Sequence, residues 1–81
     1  RALKAAEKMH EQGQNQASAI KQAMDLYIKG EPLATVDYIS IADPFDLTEL
    51  KTIHGNALVS LAVRIGSTRL IDNITLHNPY K

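Results

Sequence analysis

Hydrophobic positions recur with a period of two along Asn56 to Leu76, NALVSLAVRIGSTRLIDNITL, on either side of the pair Gly66-Ser67. A glycine between two runs rich in Val, Ile, Leu and Thr supplies the positive φ of a tight primed turn, so this stretch predicts a β-hairpin. Such a turn fixes the register. Ile65 should face Thr68, with Arg64 opposite Arg69, Val63 opposite Leu70, Leu61 opposite Asp72 and Val59 opposite Ile74. One face then carries Ala57, Val59, Leu61, Val63 and Ile65 with Leu70, Ile74 and Leu76, interrupted by Asp72. The other mixes Leu58, Ser60, Ala62 and Arg64 with Arg69, Ile71, Asn73 and Thr75. The apolar set Val59, Leu61, Val63, Leu70 and Ile74 is expected to lie buried under helices.

Those helices are predicted upstream, where the period lengthens. Arg1 to Gln12 places Leu3, Ala6 and Met9 on one stripe, with Gly13 as a C-terminal stop. Gln16 to Lys29 has Ala17, Ile20, Ala23, Met24, Tyr27 and Ile28 on one side, Asn15 as candidate cap, and Gly30 and Pro32 as its end. A connection of a few residues makes the two antiparallel, and the narrow stripe on the first implies that it packs mainly on the second.

Thr35 to Asp43, TVDYISIAD, reads as a strand from its β-branched and aromatic content. Asp43-Pro44 breaks it, and Asp46 with Glu49 has the spacing of a capping box for a helical turn through Leu50, before Gly55 leads into the hairpin. Returning antiparallel, this strand would bring Asp37 opposite Arg64 and place Ile39 and Ile41 with Ala62 and Ile71 on the outer face. The fold class is therefore α+β: two N-terminal antiparallel helices on a three-stranded antiparallel meander that ends in a hairpin. His77 to Lys81 reads as an exposed tail.

With 81 residues the chain is a single domain, 1–81, of a size that buries about 60–65% of its unfolded surface. Its first residues form a helix with no initiator methionine and no cap, the pattern of a domain excised from a longer chain. There is no cysteine, which removes disulfides and thiolate metal sites and fits a reducing cytoplasm. Nine basic and nine acidic residues cancel, and the three tyrosines and one phenylalanine do not alternate with basic residues, so no nucleic-acid footprint is present. No apolar run approaches the roughly 20 residues of a membrane span. A soluble, cytoplasmic domain with neither nucleic-acid nor membrane partner is the expectation.

Candidate chemistry is sparse. His10, His54 and His77 fall on a helix, a loop and a tail with no second ligand at metal-binding spacing. Ser18, Ser40, Ser60 and Ser67 have no neighbouring base. The glycines are isolated, which excludes a Walker loop and a dinucleotide fingerprint. Asn73-Ile74-Thr75 matches a glycosylation sequon, but within a strand and without a secretion signal. No catalytic, cofactor-binding or metal-binding residue is assigned. The arrangement that asks for an explanation is Arg64 facing Arg69, because like charges directly opposite on a sheet destabilise it and call for an anion. That anion is either a structural carboxylate, with Asp37 in reach, or a phosphate or acidic patch on another domain. Gly66 and Ser67 take a structural turn role. Asp72, an acid on the apolar face, must find a donor or lie at the sheet edge.

The hairpin, Ala57-Leu58-Val59 through Ala62-Val63-Arg64-Ile65-Gly66-Ser67-Thr68-Arg69-Leu70-Ile71-Asp72-Asn73-Ile74, resembles the C-terminal signature of the pantothenate synthetase (pantoate-beta-alanine ligase) family: an aliphatic run, an alanine-rich step, Arg, a glycine turn and Thr-Arg-Leu-Ile-Asp-Asn. Val36-Asp37-Tyr38, then Asp43-Pro44 and Leu47, is similar to the preceding strand and turn, and the helices, including Arg1-Ala2-Leu3-Lys4, to the segment after the family's active-site loop. Ser67 departs from the pattern, where a second glycine is common.

The resemblance implies the C-terminal lid domain of a two-domain ligase that condenses pantoate with beta-alanine, using ATP and Mg, through a pantoyl adenylate, in the coenzyme A pathway. It implies as partners the N-terminal catalytic domain of the same chain, the substrates pantoate, beta-alanine and ATP, and a homodimer of the full enzyme. The family's HIGH-like and KMSKS-like motifs are absent from these 81 residues, so this chain alone is expected to be inactive and to hold no cofactor. The residues themselves leave two other classes open. A stand-alone interaction module would use the mixed sheet face, and a free-standing enzyme would need a convergent polar site.

Overall fold

The computed structural model describes residues 2–77. It contains α1 (Ala2–Glu11), α2 (Ala17–Lys29), β1 (Ala34–Ala42), β2 (Ala57–Ile65) and β3 (Thr68–Leu76), the strands forming one antiparallel sheet in the order β1-β2-β3. This is the expected α+β meander. Arg1 and the tail beyond His77 lie outside the described residues.

Each boundary has a local cause. At the end of α1, Gly13 adopts φ +95, the Gln14 N–H donates to the Met9 carbonyl and the Gly13 N–H to that of His10. This is a Schellman closure, which favours glycine at the left-handed position. The start of α2 differs from the expected Asn15 cap. Gln16 is the capping residue and its side chain does not cap; instead the Ala17 N–H donates to the Lys51 carbonyl at 2.9 Å, and the Asn15 carbonyl accepts the Ile53 N–H at 2.8 Å. Backbone of the distant β1–β2 connection satisfies a helix terminus that side chains usually serve.

The hairpin register is the one expected, from Ile65 opposite Thr68 to Val59 opposite Ile74. Gly66 has φ +61 and Ser67 lacks a positive φ, the pattern of a type II′ turn. Strand β1 departs from expectation. A bulge between Val36 and Tyr38 puts Thr35, not Asp37, opposite Arg64, and pairs Ile39 with Leu61 and Ile41 with Val59. Ile41 is fully buried and Ile39 packs on the core, so neither lies on the outer face. A one-residue shift moves every side chain to the opposite face, and here it trades two solvated isoleucines for Tyr38 and Ser40.

The core lies between the helices and the sheet, centred on the fully buried Ile20, Met24, Ile41 and Val59. Helix α1 packs mainly on α2, α2 covers β1, and α1 reaches β3. Val59, Leu61 and Val63 are buried and Ile74 packs against them, but Leu70 is 51% exposed. The expectation of a buried Leu70 fails because the helical layer is narrower than the sheet. Beyond it runs an open groove lined by Leu3, Tyr27, Ile28, Ile65 and Leu70. Asp72 lies there on the edge strand, exposed, its carboxylate accepting the Asn73 N–H. An acid among apolar neighbours is tolerated because water reaches it.

Candidate functional site

The β-bulge builds the charge cluster of the outer face. As the extra residue in β1, Asp37 has no direct partner on β2, and its carboxylate reaches across to β3, where Oδ2 accepts the Arg69 Nε–H at 2.8 Å. The same oxygen is 3.8 Å from Nη2 of Arg64. Arg64 and Arg69 face each other across the hairpin as expected. The anion they require is thus supplied within the domain, but one carboxylate serves two guanidiniums, leaving a net positive charge. Both arginines remain half exposed.

Around them, Tyr38 and Ile71 are exposed to 41% and 59%, while Ala62 beneath is fully buried. The outer face is a shallow surface of two large apolar side chains beside a charged triad. Gly66 and Ser67 form the turn next to it.

At the opposite end, the β1–β2 connection contradicts the expected helical turn. The Asp43 carboxylate, not that of Asp46, accepts the N–H groups of Phe45 and Asp46, and the Asp46 carboxylate accepts the Thr48 N–H. Leu47 sits at φ +63, which no right-handed helical turn allows. Glu49 does not complete a capping box. Its oxygens accept the Ser40 hydroxyl at 2.8 Å and the Ile41 N–H at 2.9 Å, and it pairs with Lys21 of α2. Partial desolvation pushes the Glu49 carboxyl up, but the bonds from Lys21, the Ile41 N–H and Ser40 together outweigh it and hold it below the usual glutamate range. Asp46 is likewise held low, by the Thr48 backbone and hydroxyl. Sequence spacing missed the Glu49 clasp because its partners come from two other segments, Lys21 on α2 and Ser40 with Ile41 on β1.

Among the described residues no group of three or more His, Cys, Asp or Glu converges as metal ligands would. His10 and His54 lie on α1 and the β1–β2 connection, with His77 just past β3. No described helix is long and apolar enough to cross a membrane.

A two-layer α+β domain whose Asp37 and Glu49 carboxylates are engaged in structural clasps, and whose sheet is left open on one side, is the class these features define. The chain belongs to the pantoate-beta-alanine ligase family, whose family model matches residues 1–75. It is 57% identical over 77 residues to a pantothenate synthetase of Herpetosiphon aurantiacus, covering 94% of this chain and 28% of that protein. Identity to a pantothenate synthetase of a Roseiflexus species is 51% over 76 residues, with 94% and 27% covered. The fold superposes on a crystal structure of pantothenate synthetase from Thermus thermophilus with a TM-score of 0.86 at 28% identity, over 96% of this chain and 28% of that one. The chain thus spans little more than a quarter of the length of the relatives it matches.

Proposed function

We propose that this domain is the C-terminal lid of an ATP-dependent pantoate-beta-alanine ligase, acting on a pantoyl adenylate formed in a separate catalytic domain of the same chain. The observation that carries the reading is that family membership extends over nearly the whole chain, whereas the chain matches only 28% of the Herpetosiphon relative. The nucleotide-binding motifs of such an enzyme do not occur in these residues, so this reading places the ATP and Mg chemistry in the catalytic domain and assigns no catalytic residue here.

A lid acts by excluding water. An acyl adenylate hydrolyses readily, and closing a domain over it until the amine of beta-alanine attacks raises the fraction converted to amide. The open sheet side suits this role, since interdomain contacts that open and close are small and more polar than permanent ones. The full enzyme would work in the cytoplasm as a homodimer, with pantoate, beta-alanine and ATP as its small-molecule partners.

The test is to assay two proteins with pantoate, beta-alanine, ATP and Mg. The full-length ligase carrying this domain should form pantothenate, AMP and pyrophosphate. The 81-residue chain should form none. Pantothenate formation by the short chain above a protein-free blank would overturn the lid reading in favour of a self-contained enzyme.

A further inference from the structure

We propose that Phe45 and Leu47 dock this domain, through the rigid tip of its β1–β2 connection, into an apolar, basic-rimmed socket on the remainder of the ligase chain. The inference rests on the lid reading for the identity of that remainder, and on the tip's own geometry for everything else. Phe45 is 99% exposed and Leu47 65% exposed.

This tip is not a slack loop. The N–H groups of Phe45 and Asp46 donate to Asp43 Oδ1 at 2.8 and 3.3 Å, that of Leu47 to the Asp43 carbonyl at 2.9 Å, and that of Thr48 to Asp46 Oδ1 at 2.9 Å. The Asp43 N–H closes the ring on the Thr48 carbonyl at 2.8 Å, and the Leu50 N–H ties the tip back to the Ile41 carbonyl. Each donor from Phe45 to Thr48 is therefore satisfied locally, and the two apolar side chains are held in a fixed presentation that costs little further ordering on binding.

Leu47 sharpens the point. It is the one non-glycine residue with positive φ among those described. The surrounding bonds join backbone N–H groups to backbone carbonyls and to the carboxylates of Asp43 and Asp46, and none uses the Leu47 side chain, so glycine would satisfy them equally without strain. A strained leucine whose side chain is mostly in water contributes little within the domain. Its use lies outside.

The chemistry of the socket follows from the rim. Asp43 and Asp46 flank the anchors, and the Thr48 bonds keep Asp46 ionised; Glu49 is already paired with Lys21. A complementary surface is apolar at its centre and carries Lys or Arg at its edge. Area selects the occupant. Covering both side chains removes on the order of 300 Å² of this domain's surface, below the roughly 600 Å² per partner that holds separate molecules together. A second copy or an independent protein would not be retained by it. A segment tethered in the same chain meets the tip at millimolar effective concentration, where a small contact suffices.

The test is Phe45→Trp, which keeps an aromatic anchor in a chain that has no tryptophan. Acrylamide quenching is measured in the 81-residue chain and, as the difference from the unsubstituted protein, in the full-length ligase. Docking predicts full quenching in the short chain, and several-fold weaker quenching with a blue-shifted emission in the ligase at every protein concentration. Leu47→Gly, made in the same background, should restore quenching in the ligase while leaving the short chain as stable or more so. Equal quenching in both proteins overturns the proposal, and so does protection that appears only as concentration rises, which would mark a second copy. Protection in the ligase that Leu47→Gly abolishes without lowering turnover sustains the docking and counts against the lid reading alone.

Discussion

Asp37 accepts the Arg69 Nε–H at 2.8 Å and stands 3.8 Å from Arg64, so a carboxylate on β1 offsets the repulsion of a like-charge pair on β2 and β3. It can do so because the bulge frees it from its own ladder position. Asp37→Asn keeps the shape and removes the charge. All three groups are partly exposed, so the expected loss is about 1 kcal/mol, the upper range for a surface pair plus the opposed arginines it unmasks. Thermal unfolding checks this, and its salt dependence separates the causes. Added salt should narrow the gap between variant and parent, because screening weakens the parent's attraction and relieves the variant's repulsion.

How far the helical layer extends is tested by two leucines on the same sheet face. Leu61→Ala removes a buried side chain and should cost about 2–5 kcal/mol, whereas Leu70→Ala, at a half-exposed position, should cost less than about 1 kcal/mol. Urea midpoints at constant slope report the difference. Equal losses would mean that the helices reach the hairpin tip in solution.

The contrast between these leucines shows what the sequence could reveal. The hairpin register was legible because a two-residue turn at Gly66-Ser67 leaves one solution, and that register brings Arg64 and Arg69 together. Burial of Leu70 was not legible, since alternation assigns a face without saying how wide its cover is. The β1 register failed for a related reason. No residue type announces the bulge at Asp37, whose stabilisation comes from Arg69, 32 positions away. Asp46 and Glu49 show the limit of short motifs. Their spacing fits a capping box, yet Glu49 binds Lys21, Ser40 and Ile41, partners that local spacing cannot rank. The arginine pair was therefore readable as a cluster needing an anion, and the Phe45–Leu47 tip was not readable at all.

The Glu49 clasp carries a pH dependence with a definite sign. Its folded carboxyl is held low by the bonds that outweigh its partial desolvation, so its contribution is fully present above the ordinary glutamate pKa of about 4.3 and fades as pH falls through the lower folded value. Glu49→Gln should lower the melting temperature at pH 7, and the gap between variant and parent should close in acid. A gap that persists unchanged at pH 2 would show that the clasp acts through shape rather than charge.

The outer face gives the last prediction, because it separates a lid contact from a structural one. Arg69 and Ile71 lie two positions apart on one face of an edge strand, the first bound to Asp37 and the second 59% exposed. In the isolated domain, Ile71→Ser removes little buried surface and should shift the melting temperature by no more than a few degrees, while Arg69→Ala also breaks the Asp37 pair and should shift it more. In the full-length ligase the order should change. If this face meets the catalytic domain during closure, Ile71→Ser exposes the site to water, and turnover slows while a larger share of the adenylate is lost to hydrolysis. Measuring pantothenate and AMP together reports that share directly, since every productive cycle yields one of each and every leak yields AMP alone. Equal pantothenate and AMP in both variants, at parental rates, would place the closure contact elsewhere on the domain and leave the Asp37–Arg69 pair with a purely structural role.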